Sequence, residues 1–423
     1  MNIIRKKQPK LNPSEKICLY EPEKVLLKNK IPLYIFKSDE NVLKIKLTFK
    51  AGTYSQDKPL QAYLTNRLLN EGTKKYASKK IAEIIDYNGA MLIQNADEDY
   101  AAVSLLVLKK NVYKIIDVLS DIIMYPVFPV QNFKRQKDIT LQNFIVNNEK
   151  VAVVAKKNIL QAIFGSSNFY GYKTQIEDFE KISVDDVIKF HNDFYTPSHC
   201  SIFITGNIDL EQIKTLEKVF GDKDWKKGKI TEKRLIIDTL QEKKIHVIKK
   251  DALQTGIRIG KVLFNRTHQD DIGMRFLNMA LGGYFGSRLM SNIREDKGYT
   301  YGIYSGIVSL KNTGYFTIGA EVGKNVCKNA LKEIYYEIIK LQNEKLGNKE
   351  LELVKNYLHG QFLKNIDGQM NYANLYEIIS GYGFDKNYLY KYYDEINQMT
   401  PERLLDLAQK YFDVETLYEV TAG

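Results

Sequence analysis

The chain has 423 residues, 44% of them hydrophobic, which is more than one hydrophobic core usually serves, so two or more domains of roughly 200 residues are expected. Its net charge of +11 comes from lysines and arginines interleaved with acids, a solvated surface that gives no footing for nucleic-acid binding. Cys18, Cys200 and Cys327 lie too far apart for a disulfide framework or a CxxC metal site.

Residues 1 to 40 are expected to form an N-terminal arm and first strand. The opening MNIIRKKQPKLNPSEK has no apolar secretory core. No apolar run approaches the ~18 residues of a membrane span, so a cytoplasmic protein without membrane association is expected. Leu43 to Lys50, LKIKLTFK, alternates apolar and polar residues as a half-buried antiparallel strand does. Pro59 to Glu71 is a predicted helix with Leu60, Leu64 and Leu68 along one face and Gly72 as its stop. A second helix over Lys80 to Asn88 ends at Gly89, strands follow near Met91 to Ala96 and Tyr100 to Leu108, and a helix from Val112 to Met124 stops before Pro126.

Residues 221 to 240 are the linker, opening on the charged stretch GDKDWKKGKITEKR, where Trp225 reads as a surface anchor. Beyond it come strands near Ile245 to Lys249 and Thr255 to Gly260, then helices around Asp270 to Leu281 and Ser287 to Glu295. Strands over Tyr301 to Leu310 and Gly314 to Val322 precede long helices from Asn325 and Lys349.

This second series repeats the first. Residues 182 to 206 align without a gap on 399 to 423, with Ser183 and Thr400 as hydroxyl N-caps and Val187, Ile188 and Phe194 matching Leu404, Leu405 and Tyr411. The chain is thus a duplicated α+β protein, with domains over 41–220 and 241–423, each an antiparallel-rich sheet with helices on one face.

The most informative stretch is Leu281 to Gly302, LGGYFGSRLMSNIREDKGYTYG, which sets Arg294 and Tyr301 on either side of Gly298 in a helix-to-strand turn. A guanidinium and a phenol are both hydrogen-bond donors, and at this spacing both can reach one oxyanion. The alternative is structural: Arg294 in a salt bridge with a helix acid and Tyr301 filling a strand face. Gly282, Gly283 and Gly286 have the wrong spacing for a phosphate loop, and the neighbours His199 and Cys200 point to opposite strand faces, which excludes a thiol catalyst.

With its duplicated halves and the stretch RLMSNIREDKGYTYG, the chain resembles the insulinase and mitochondrial-processing-peptidase family of zinc peptidases over nearly its whole length. LLNEGT at Leu68 to Thr73, Gly89-Ala90, Asn95-Ala96 and Tyr125-Pro126-Val127-Phe128 look like further landmarks of that family. The resemblance implies two homologous α/β-sandwich domains. It also implies a His-x-x-Glu-His helix, whose imidazoles four residues apart bind one zinc ion and whose Glu activates the metal-bound water.

Here those positions hold Tyr63, Asn66 and Arg67, and the family's third ligand falls on Asn143. None of the five histidines lies four residues from another, so no zinc or other cofactor is expected in this chain. Arg67 would repel a divalent ion and is expected to fill the vacant pocket and pair with an acid. In two-chain members of the family one subunit carries the zinc and the other supplies the Arg and Tyr that stabilise the tetrahedral oxyanion.

The resemblance therefore implies a noncatalytic subunit, inactive alone, that lends Arg294 and Tyr301 to a zinc-bearing paralogue acting on peptides. Asn95 and Ala96, expected at the start of an edge strand, match the place where the family binds extended substrate by strand addition. The alternatives are an inert scaffold and a peptide-binding homodimer of the same fold.

Overall fold

The computed structural model describes residues 17–221, 225, 226, 228 and 233–423. Its first half runs β1 (Glu23–Leu26), β2 (Pro32–Lys37), β3 (Val42–Phe49), α1 (Gln61–Leu68), α2 (Ser78–Tyr87), β4 (Met91–Ala96), β5 (Ala101–Leu108), α3 (Val112–Met124), α4 (Val130–Asn148), α5 (Val151–Phe164), α6 (Ile176–Lys181), α7 (Val184–Phe194), β6 (Cys200–Gly206) and α8 (Leu210–Phe220). The second runs β7 (Lys244–Val247), β8 (Gln254–Leu263), α9 (Asp271–Asn278), β9 (Ile303–Ser309), β10 (Gly314–Gly323), α10 (Cys327–Asn343), α11 (Asn348–Ile366), α12 (Gln369–Ser380), α13 (Lys386–Gln398), α14 (Pro401–Tyr411) and β11 (Tyr418–Ala422).

Strand order carries the duplication into three dimensions. The first sheet is β1-β2-β6-β3-β5-β4 and the second β7-β11-β8-β10-β9, so the second repeats the last five strands of the first in the same order. The β2–β6 and β7–β11 pairs are parallel, and the other pairs are antiparallel. In both copies the repeated helix and strand, α7–β6 and α14–β11, occupy matching places, and both N-caps form. Ser183 accepts the Asp186 N–H at 3.2 Å and Thr400 the Arg403 N–H at 3.3 Å. Ser183→Ala is expected to cost about 1 kcal/mol, read as a lowered denaturation midpoint.

Two strands stand where only an arm and a single strand were expected. Residues 23–37 supply both β1 and β2, and β2 is an interior strand paired with β6, so the first sheet begins well before residue 41. Ahead of it, residues 19–21 are bound to the second half. Leu19 N–H donates to the Tyr390 hydroxyl (2.8 Å), Tyr372 donates to the Tyr20 carbonyl (2.9 Å), and Tyr376 donates to the Glu21 carboxylate (2.9 Å).

Period-two alternation along β3 settles what each face meets. Leu43, Ile45, Leu47 and Phe49 are buried against Leu64, Leu68, Ile116, Leu119 and Val187 of the same half. Lys44, Lys46 and Thr48 face the other way, where α12 of the second half lies across the sheet: Lys44 bonds Asn374 (2.7 Å), while Lys46 and Thr48 bond Glu377 (2.6 and 2.8 Å). The exchange is mutual. Helix α5 of the first half packs on β8 and β11, burying Ala155, Ile159 and Ala162 against Tyr315, Val420 and Ala422.

Gly256 permits that approach, since a Cβ there would lie 2.7 Å from the Val151 carbonyl oxygen. The expectation of helices on one face therefore holds within each half only. The opposite face is covered by a helix of the other half, because a half-apolar sheet face is stabilised by burial.

The linker expectation for Trp225 is also overturned. The indole is 5% exposed, packs against Phe49 and Phe220, and donates its N–H to the Tyr195 carbonyl at 3.1 Å. A charged local sequence conceals a residue that closes the first core. Residues 222–224, 227 and 229–232 of that join lie outside the described residues.

Candidate functional site

The helix begun by α9 widens at Met279–Gly283, and a second wide turn spans Met290–Asp296, both with π-helical geometry. Such turns re-aim side chains that a regular helix would place elsewhere. Arg294 sits in the second. The chain leaves it through backbone bonds from Lys297 N–H to Asn292 O and from Tyr299 N–H to Ile293 O (both 3.0 Å), passing Gly298 at φ +65°, a conformation favourable to glycine. Thr300 then pins the turn to β10: its hydroxyl donates to the Glu321 carbonyl (2.7 Å) and accepts the Gly302 N–H (3.1 Å).

The backbone beside Tyr301 is thus held, yet its side chain is 94% exposed and makes no hydrogen bond among the described residues. Arg294 likewise has no acid partner or hydrogen bond among them. Its guanidinium lies over the Phe285 ring, 4.6 Å from the centroid. A ring face attracts the cation without consuming its N–H donors, so the group is oriented and still available. The salt bridge and filled strand face of the structural alternative are not formed.

Phe285, 60% exposed, was not singled out by sequence reasoning. The signal was an aromatic pair, Tyr284-Phe285, bracketed by Gly283 and Gly286.

In the first half, the positions of the zinc motif are used otherwise. Asn66 is 1% exposed, and its amide N–H₂ donates to the Tyr195 hydroxyl (3.2 Å) and the Ala102 carbonyl (3.3 Å). Gln94 donates to the Asn66 carbonyl at 2.7 Å, tying α1 to β4. Burial holds the Tyr195 phenol well above its ordinary pKa, so it stays a neutral partner.

Tyr63 and Arg67, one turn apart, are at the surface of α1, and Asn143 is exposed on α4. The expectation that Arg67 pairs with an acid is not met: it has no ion pair among the described residues, because its side chain points to solvent rather than into a pocket. Amide, phenol and guanidinium are not zinc-ligand chemistry, and no three His, Cys, Asp or Glu side chains converge as a metal set among the described residues. His191 is buried with Nε2 on the Ile123 carbonyl (2.8 Å), and burial lowers its pKa to about 4, which marks a neutral core histidine. These residues do not fit zinc.

Asn95 and Ala96 lie at the end of β4, not at its start as expected. The strand itself is outermost in the first sheet, so one side of its backbone has no ladder partner. Leu92, Gln94 and Ala96 turn toward the helices, while Met91, Ile93 and Asn95 are exposed on the other face. Arg294 and Tyr301 belong to the second half and Asn66 to the first; no hydrogen bond or ion pair joins the two sets among the described residues.

A duplicated α+β sandwich with an arginine and a tyrosine on a glycine turn of its second copy defines the class as the fold of a two-domain metallopeptidase. The chain belongs to the insulinase family, peptidase family M16. Residues 34–170 match the model described as Insulinase (Peptidase family M16), and 181–358 match that of the Peptidase M16 inactive domain.

Among relatives, an uncharacterized zinc protease, YmxG, of Bacillus subtilis is 25% identical over 83% of this chain and 85% of its own length. A non-peptidase homolog, YmxG, of Helicobacter pylori is 23% identical over 88% of this chain and 87% of its own. The crystal structure of a peptidase M16 inactive domain from Pseudomonas fluorescens superposes with a TM-score of 0.87 at 22% identity, covering 95% of this chain and 98% of that one. Among the described residues no helix is long and apolar enough to cross a membrane.

Proposed function

We propose that this chain is a noncatalytic member of the family that completes a two-chain peptidase. Arg294 and Tyr301 donate hydrogen bonds to the oxyanion formed at a peptide carbonyl, and a paralogous subunit supplies zinc and the attacking water. The observation that carries this reading is the contrast between the two halves. Asn66 is committed to internal hydrogen bonds, whereas Arg294 and Tyr301 are anchored through their backbone and have no polar side-chain partner among the described residues. Preorganised donors of this kind act most strongly where water is excluded, which a partner surface would provide. The unpaired edge of β4 supports extended peptides as the substrate class, with affinity from the backbone and Asn95 and Ala96 at the strand's end.

The purified chain is expected to hold far less than one equivalent of zinc by elemental analysis and to leave peptides uncut. Adding a zinc-bearing paralogue should yield cleavage above that of the paralogue alone. Stoichiometric zinc in the isolated chain, with chelator-sensitive cleavage, would overturn the proposal.

The open β4 edge also favours a second reading, a peptide-binding homodimer without chemistry, since strand addition needs no metal. A dimeric mass for the chain alone, together with no rate gain on mixing, would select it.

A further inference from the structure

A cavity of about 670 Å³ lies between the two halves, walled by the outward face of the first sheet, by α12 and by the β9–β10 turn. Its size is that of small-molecule sites. Strand register places Asn95, Ala102, Thr48 and Ser201 in one row across this face. Three strand spacings make that row about 14 Å long. Lys50 lies two residues beyond Thr48, beside His199 at the start of β6, and both line the same cavity.

The charges on its wall divide into engaged and unengaged groups. Asp99 accepts the Tyr170 hydroxyl and the Lys311 N–H, Asp97 accepts the Asp99 and Tyr100 N–H groups, and Glu377 is taken by Lys46 and Thr48. Glu98 is on the exposed turn. Four others, at either end of the row, keep a polar group unengaged among the described residues. The Lys50 ammonium, the Ser201 hydroxyl and the Asn95 amide make no side-chain hydrogen bond among the described residues. His199 is only 5% exposed and is held by Thr196 at Nδ1 (2.9 Å), with no partner at Nε2 among the described residues. Burial and the nearby Lys50 and Lys311 cations lower its pKa, so the ring is neutral near pH 7.

We propose that this cavity is a binding site for a carboxylate, held by Lys50, His199 and Ser201, with Asn95 meeting an amide further along the ligand. The site is separate from Arg294 and Tyr301 and does not depend on the two-chain reading. A carboxylate could come from the C-terminus of a short peptide or from a free dicarboxylic acid, and both present the same group to these donors.

Titration calorimetry on the full chain tests the site with three probes: tetra-alanine with a free C-terminus, its C-terminal amide, and glutarate. The free acid is expected to bind at least about tenfold tighter than the amide, as one charge-assisted hydrogen bond implies. Lys50→Gln, at an exposed position, should reduce that preference to about twofold or less. The His199 ring resonances should shift on adding the free acid. Glutarate binding as well as the peptide identifies a free acid as a competent source, and peptide binding without glutarate identifies the chain end. Equal affinity for acid and amide, an undiminished preference in Lys50→Gln, or no binding of any probe would overturn the proposal.

Discussion

Replacing Arg294 by alanine in the reconstituted two-chain complex is expected to lower kcat by about 10²-fold or more, with kcat/KM falling in parallel. The magnitude is that of removing one preorganised donor from a developing oxyanion, and the parallel fall marks an interaction made only in the transition state. The structure makes the test specific. Arg294 has no ion pair or hydrogen bond among the described residues, so its loss strands no buried acid, and its guanidinium rests on the Phe285 ring. Folding and subunit association should therefore survive, which equal melting temperatures and an unchanged complex mass would check. A variant complex running at full rate would exclude the oxyanion role, whatever the effect on binding.

Trp225→Ala is expected to destabilise the first half by roughly 3–5 kcal/mol, the usual cost of emptying a buried aromatic site. The indole fills the space between Phe49 and Phe220 and satisfies the Tyr195 carbonyl, so its removal leaves both a cavity and an unpaired acceptor. A lower denaturant midpoint followed by circular dichroism reads the loss. Because Trp225 is the only tryptophan in the chain, its fluorescence reports burial directly in the unmodified protein. Emission like that of free indole in water would contradict the placement.

These two residues show how unevenly the site and the core were legible in sequence. Arg294 and Tyr301 could be found because glycine at 298 and a chemically distinctive pair lie within one short stretch. Their availability could not, since it depends on Phe285 supplying a ring rather than a nearby acid supplying a charge. Arg67 shows the converse: a cation at a vacated ligand position was expected to fill the pocket and pair with an acid, yet the face of α1 that carries it meets solvent. Trp225 was hidden because lysines and aspartates surround it, and a single buried residue in a join leaves no periodic trace.

By itself the sequence determined the duplication, the helix starts at Ser183 and Thr400, and the alternation of β3 and its neighbours. Each of these follows from backbone periodicity or a local hydrogen bond within a few residues. Tertiary structure alone decided that α5 crosses to the second sheet and α12 to the first, that residues 19–21 are bound to the far half, and that Asn66 closes on Tyr195. An amphipathic pattern states that a face is buried. It carries no information about which distant surface will cover it, because burial free energy is non-directional and only complementary shape and paired polar groups select the partner.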